Sequence, residues 1–172
     1  MLYDEITQLI ATHREDDWWD FKREHHHDKA ELVHDILCMA NNRPRRDSYI
    51  IFGVEDNTFA IKGVEDDEGR RSQQSIVDIL RNISFAGGVR PRIEVQTITI
   101  DSHEIDVLII KDSFDTPFYL DKEYRDKSVK NEKGELYGKI VRPYHIYTRV
   151  VDNNTPIDKQ ADLNDIEYLW RK

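Results

Sequence analysis

The run Ser48-Tyr49-Ile50-Ile51-Phe52-Gly53 does most to limit what this chain can become. It is apolar without alternation and stands between a polar loop and a glycine, which is the pattern of a strand covered on both faces. Such a strand needs structure packed above and below it, so the chain belongs among the α/β proteins. Its 172 residues suffice for one core of this kind, and a single domain over residues 1–172 is expected.

The flanking sequence supplies the other layers. Ile6, Leu9 and Ile10 recur at helical spacing and predict a short first helix that fades at His13. The segment Trp18-Trp19-Asp20-Phe21-Lys22 is aromatic and too short for a helix. As a strand it turns Trp18, Asp20 and Lys22 to one face and Trp19 and Phe21 to the other. Asp28 followed by Glu31 forms a capping-box pattern ahead of the stripe Val33, Ile36, Leu37 and Ala40, predicting a helix that ends near Asn41-Asn42, before Pro44. A hairpin-like continuation through Asn57-Thr58 leads into Phe59-Ala60-Ile61, and Ile76, Ile79, Leu80 and Ile83 mark a third helix. Ile93 to Ile100 and Glu104 to Ile110 read as a hairpin around Asp101-Ser102-His103, Ile146 to Val151 as one more strand, and Leu163, Ile166, Leu169 and Trp170 as a closing amphipathic helix. The predicted fold is α/β, of α+β-like character, with a mixed β-sheet of about six strands flanked by helices.

Composition excludes several classes. No apolar run approaches the ~18 residues of a membrane span, and no basic start leads into an apolar signal stretch. The single Cys38 cannot form an internal disulfide, so a cytoplasmic setting is expected. The net charge of −9 argues against a protein that coats nucleic acid by bulk charge. That average hides an asymmetry, because eight basic residues face four acids between Lys122 and Arg149. The stretch from Asp121 to Tyr144 is long for a structureless connection and is either functional or a solvated loop. Tyr119, Tyr124, Tyr144 and Tyr147 are interleaved with its charges and are candidates for base stacking; Trp18 and Trp19 either stack bases or pack in the core.

Carboxylates crowd at Glu15, Asp16, Asp17 and Asp20, and a second pair, Glu55-Asp56, follows the buried strand. If the two strand regions are neighbours, Glu15, Asp20 and Asp56 can converge on one divalent cation, Mg²⁺ or Mn²⁺, which takes carboxylate oxygens and keeps waters for chemistry at a phosphate. His25-His26-His27 does not share a face and is discounted as a ligand tract. Gly87-Gly88 lacks the frame of a phosphate-cradling loop, and Cys38 reads as a small core residue.

The order of these motifs carries a resemblance. Glu15-x4-Asp20-Phe21-Lys22, the helix end Met39-Ala40-Asn41-Asn42, the strand Tyr49 to Asp56 and Ile61-Lys62-Gly63-Val64 are similar to the successive motifs of the Schlafen/AlbA-type nucleic-acid-binding domain family. Thr116-Pro117-Phe118-Tyr119 and Ile146-Tyr147-Thr148-Arg149-Val150 extend the resemblance along nearly the whole chain, as a single lobe. In the ribonuclease members three acids form the cleavage site, and carried over these are Glu15, Asp20 and Asp56, with Asp20 one methylene shorter than the family's glutamate. The resemblance thus implies a metal site at Glu15, Asp20 and Asp56, with Lys22 neutralising developing charge. Arg149 and the stretch Lys122, Arg125, Lys127, Lys130, Lys139 and Arg142 would position the nucleic-acid backbone. Where the family has a glycine-rich turn this chain has Asn41 to Asp47 with Arg43, Arg45 and Arg46, whose forks suit phosphate. Two functions follow as alternatives: a divalent-metal-dependent endoribonuclease acting on structured RNA such as tRNA, or a non-catalytic module that binds RNA, DNA or a protein partner in regulation or defence. Because related cores enclose a groove between two lobes, the resemblance also implies a homodimer.

Overall fold

The structure, a computed structural model, describes all residues 1–172. Its centre is a four-stranded mixed sheet. Strand β1 (Trp19–Lys22) runs parallel to β2 (Ser48–Phe52), which pairs antiparallel with β4 (His103–Ile110), which in turn pairs with β3 (Ile93–Ile100), giving the order β1-β2-β4-β3. Every residue of β2 is buried, as its unbroken apolar run demands. Alternation sends Ile50 and Phe52 to one face and Ile51 to the other, where each joins a separate core.

On the first face α2 (Lys29–Ala40) and α3 (Gln73–Arg81) pack through Val33, Ile36, Leu37, Ile76 and Leu80 against Ile50, Phe52, Leu108 and Ile110. On the second, α1 (Leu2–Ala11) lays Ile6, Leu9 and Ile10 over Trp19, Phe21, Ile51 and Val107. The layers are therefore helix, sheet, helix. Asp28 caps α2 as its position predicts, one carboxylate oxygen accepting the Ala30 N–H at 2.8 Å. The tight β3–β4 turn places Asp101 and Ser102 at positive φ, 50° and 64°, in keeping with the small polar residues there.

Two expectations are corrected. The about six strands resolve into the four of the main sheet plus two separate two-stranded ribbons: β5 (Tyr124–Arg125) with β6 (Ile140–Val141), and β7 (Arg149–Val150) with β8 (Asn153–Asn154). The strand expected over Ile146 to Val151 shrinks to its last two paired residues, because side chains occupy the preceding backbone. Gln160 accepts from Ile146 N–H, Asn41 donates to the Tyr147 carbonyl at 3.0 Å, and Thr155 Oγ1 accepts from Thr148 N–H at 3.0 Å. The last helix, α4 (Leu163–Arg171), forms as predicted and closes a small core of Leu169, Ile146 and Ala161.

Asn41 ties these parts together. Fully buried at the end of α2, its side-chain amide donates to the Phe118 and Tyr147 carbonyls at 2.7 and 3.0 Å while its oxygen accepts the Phe118 N–H at 2.7 Å. Replacing it with alanine strands three buried backbone groups. Asn41→Ala should therefore destabilise the fold by roughly 2–3 kcal/mol, read as a lower urea midpoint at unchanged slope.

Candidate functional site

The acids singled out by sequence do not meet one another around a vacant centre; they meet arginine. Alternation in β1 turns Asp20 and Lys22 away from the Trp19 and Phe21 core, as predicted, onto the side where α2 and the β7–β8 ribbon lie. Arg149, 2% exposed, enters from β7 with one terminal nitrogen 3.4 Å from Asp20 Oδ1 and 3.7 Å from Glu15 Oε2. Its remaining N–H groups donate to the Asp16 carbonyl at 2.7 Å, the Trp19 carbonyl at 3.3 Å and Asn154 Oδ1 at 2.9 Å. Glu15 also accepts the Phe21 N–H at 3.0 Å, fixing the carboxylate to the strand.

The network continues through alternating charges. Lys22 Nζ lies 3.4 Å from Asp20 and 3.6 Å from Asp35, an α2 residue that sequence inspection did not single out. Asp35 is further held by His26 and by the Asn154 side-chain amide at 3.0 Å, with His34 Nδ1 3.7 Å away. Burial works to raise the Asp35 carboxyl, but the His26 hydrogen bond and charge, with Lys22, outweigh it and hold the group well below the ordinary carboxylate range. At Asp20 burial dominates and moves the carboxyl upward, the charges of Lys22 and Arg149 only partly opposing. Burial works to lower the Lys22 ammonium, but the attraction of Asp35 and Asp20 outweighs it and holds the group above its usual value.

Asp56 lies elsewhere, exposed on the turn after β2. Its neighbour Glu55 is engaged by Thr58 at 2.7 Å and Arg23 at 3.4 Å. No three His, Cys, Asp or Glu side chains in the molecule form a group able to hold a metal ion. The divalent cation that the resemblance implies does not fit these residues as they stand, because a guanidinium already fills the place between Glu15 and Asp20. The histidine tract is structural, as expected: His25 stacks on Phe52 at 4.1 Å and is bonded to the buried Asp106, which Arg70 and Thr97 also hold.

The basic stretch divides in two. Arg149, expected at the nucleic-acid backbone, is corrected to a buried network residue. Lys122, Lys127, Lys130, Lys133, Lys139 and Arg142 are exposed, none within ion-pair distance of a carboxylate, against three exposed acids, Glu123, Glu132 and Glu135. Arg125 is half-buried and donates to the Leu136 and Gly138 carbonyls at 3.3 and 3.4 Å. The stretch is an ordered arm. Strands β5 and β6 form its base, a bridge pairs Lys130 with Leu136, and Asn131 Oδ1 accepts the Lys133 and Glu135 N–H groups at 2.9 Å to close the tip. Two carboxylates clamp this arm to the start of α2, where the helix dipole favours them. Asp126 accepts the Lys29 N–H at 3.0 Å, and Asp28 accepts the Lys139 N–H at 2.8 Å with the oxygen not used for capping. Gly138 permits this clamp, since a Cβ there would stand 2.8 Å from Asp28 Oδ2.

The arginine loop is partly consumed by the fold. Arg43 pairs with Asp165 of α4 at 2.8 Å, and Arg46 pairs with Glu5 of α1 at 2.7 Å while lying 3.4 Å over the Trp18 ring; Arg45 is exposed without a partner. Trp18 is thus covered and Trp19 is 3% exposed, which assigns both to packing. Among the tyrosines, Tyr147 is fully buried and Tyr144 is 65% exposed; Tyr137 on the arm, 61% exposed, went unremarked in the sequence. A cavity of about 310 Å³ lined by Lys22, His26, His34, Asp35 and Lys139 joins the ion network to the base of the arm.

A single mixed α/β lobe carrying a buried ion network and a clamped basic arm defines the class of protein. The profile of the family described as Schlafen, AlbA_2 matches residues 15–158, and the chain belongs to that family. The match opens at Glu15 and closes just past β8, leaving α1 and α4 outside it. Membership supports a nucleic-acid-related function at the level of the family. No curated protein matches the chain significantly. No helix is long and apolar enough to cross a membrane.

Removing the guanidinium leaves the half-buried Glu15 without an ion-pair partner and the buried Asp20 with Lys22 alone. Arg149→Met should destabilise the fold by about 3–5 kcal/mol, and adding Asp20→Asn should recover part of that loss in chemical unfolding. The depressed Asp35 carboxyl gives stability that is present above its unfolded value near 4 and lost as pH falls toward the folded value. Stability measured from about pH 5 down to pH 3 should therefore fall less steeply in Asp35→Asn than in the unsubstituted protein.

Proposed function

We propose that the domain binds nucleic acid along its phosphate backbone as a non-catalytic module, with the arm from Lys122 to Arg142 as its principal contact. The observation that carries this reading is the arm's charge: six exposed basic side chains without carboxylate partners, on a rigidly clamped ribbon, in a chain that is otherwise strongly acidic. Cations left unpaired in this way are free to displace counterions from phosphates, whereas the remaining negative charge discourages indiscriminate coating. Lys139, at the base of the arm, opens on the cavity that leads to the ion network. Tyr137 and Tyr144 add exposed aromatic faces. Contacts of this kind position a backbone without reading its sequence.

The ion network supports the non-catalytic half of the reading. Arg149, Lys22 and His26 already engage Glu15, Asp20 and Asp35, so these acids act as the frame that holds β1, α2 and the β7–β8 ribbon together. The chemistry of a metal-dependent ribonuclease would require them to release that arginine.

Binding of duplex and hairpin RNA and of duplex DNA, measured against salt with EDTA present, tests the proposal. Affinity should fall linearly in log–log form, and the triple variant Lys127→Glu, Lys130→Glu, Lys139→Glu should reduce the slope by about 2–3 units. Gly138→Ala, which displaces the clamp without altering charge, should weaken binding as well. Salt-insensitive binding, or RNA cleavage that EDTA abolishes and Mn²⁺ restores, would overturn it.

A further inference from the structure

A second cationic feature has its arginines outside the motifs that sequence singled out, beside the Gly87-Gly88 turn. Between α3, the turn at Ala86–Gly88 and the start of β3 on one side, and Lys111 to Asp115 after β4 on the other, runs an open groove of about 810 Å³. Arg90 and Arg92 line it. Pro91 between them is buried, Val89 is extended (φ −105°, ψ 127°), and a residue before proline is held extended as well. The two arginines therefore emerge on the side opposite Pro91, about 7 Å apart along the chain. Both are exposed, and neither makes an ion pair or a side-chain hydrogen bond.

The other charges of the groove are mostly satisfied within the protein. Lys111 pairs with Glu94 at 3.0 Å and Asp47 at 3.5 Å, Asp112 with Lys172 at 3.3 Å, and Asp115 is bonded to Ser113 at 3.3 Å. Phe114, 75% exposed, lines the same groove. At Gly87 and Gly88 a Cβ would meet nothing within 4 Å, so the main chain there is open to close approach. The groove is also joined to the arm. Phe85 bridges to Leu120 at the arm's root, and Ala86 N–H donates to the Tyr119 carbonyl at 2.9 Å, a few residues before Arg90.

Unpaired guanidinium groups spaced along an extended chain, with an exposed ring in the same groove, match a strand of nucleic acid whose bases are free to stack. A base held in a duplex presents no face to Phe114. We propose that this groove seats single-stranded nucleic acid, successive phosphates on Arg90 and Arg92 and a base against Phe114, while the arm holds adjoining backbone. The inference rests on the phosphate-binding reading of the domain and names the form of nucleic acid it takes.

The test uses the full chain with a fluorescein-labelled single-stranded oligouridylate and an RNA duplex of equal length. Arg90→Ala with Arg92→Ala, and separately Phe114→Ala, should each weaken single-strand binding about tenfold and change duplex binding less than twofold. Near-ultraviolet crosslinking with 5-iodouridine in the strand should modify the peptide that contains Phe114. These side chains are exposed, and unchanged thermal melting confirms folding. Single-strand affinity unchanged in the arginine variant, with the wild type still binding duplex, overturns this inference alone. Failure of the wild-type chain to bind either nucleic acid overturns the domain reading and this inference with it. Preferential binding of an acidic peptide such as oligoglutamate at the groove, lost in the arginine variant, assigns the groove to a protein partner and overturns the proposal.

Discussion

The guanidinium of Arg149, buried between Glu15 and Asp20, is the interaction on which the rest of this architecture depends. A carboxylate at Asp20's depth is costly in isolation and tolerable only with an opposite charge and hydrogen bonds around it. Arg149 supplies both to the start of the first sheet strand, and in doing so it draws the β7–β8 ribbon against that strand. Lys22 and Asp35 carry the same alternation to the central helix. Four separate chain segments are thereby held together by one continuous network of ion pairs and hydrogen bonds.

This arrangement separates two properties that the motif order suggests together. The acids sit where the family pattern places them in sequence, yet in space two of them share an arginine and Asp56 lies exposed on a turn. What remains accessible for a ligand is cationic: the clamped arm and the groove of Arg90 and Arg92. The negative net charge belongs largely to surfaces and networks that those two features avoid. A local phosphate-handling surface is therefore compatible with an acidic protein, because screening limits the reach of exposed charge to about 10 Å.

Much of the scaffold was legible in the sequence because hydrophobic periodicity is local. The unbroken apolar run of β2, the Trp19 and Phe21 alternation and the Asp28 cap each depend on a few adjacent residues and stand as predicted. The Ile146 to Val151 strand was less legible, since Gln160, Asn41 and Thr155 replace a partner strand and only the folded chain brings them there. Asp35 and Arg149 were misjudged or missed for a common reason. A charged residue looks like a solvated one until folding brings its opposite charges beside it, as Glu15 and Asp20 come to Arg149 and Lys22 and His26 come to Asp35. Arg90 and Arg92 show the converse, an ordinary-looking Arg-Pro-Arg whose burial of the proline makes the pair face one groove.

The central claim is that Arg149 occupies the place a divalent ion would take between Glu15 and Asp20. Titration calorimetry of Mn²⁺ into the folded protein, with Asp20→Asn in parallel, addresses it most directly. The account predicts no saturable Mn²⁺ binding that depends on Asp20. Stoichiometric binding in the wild type that disappears in Asp20→Asn would contradict it.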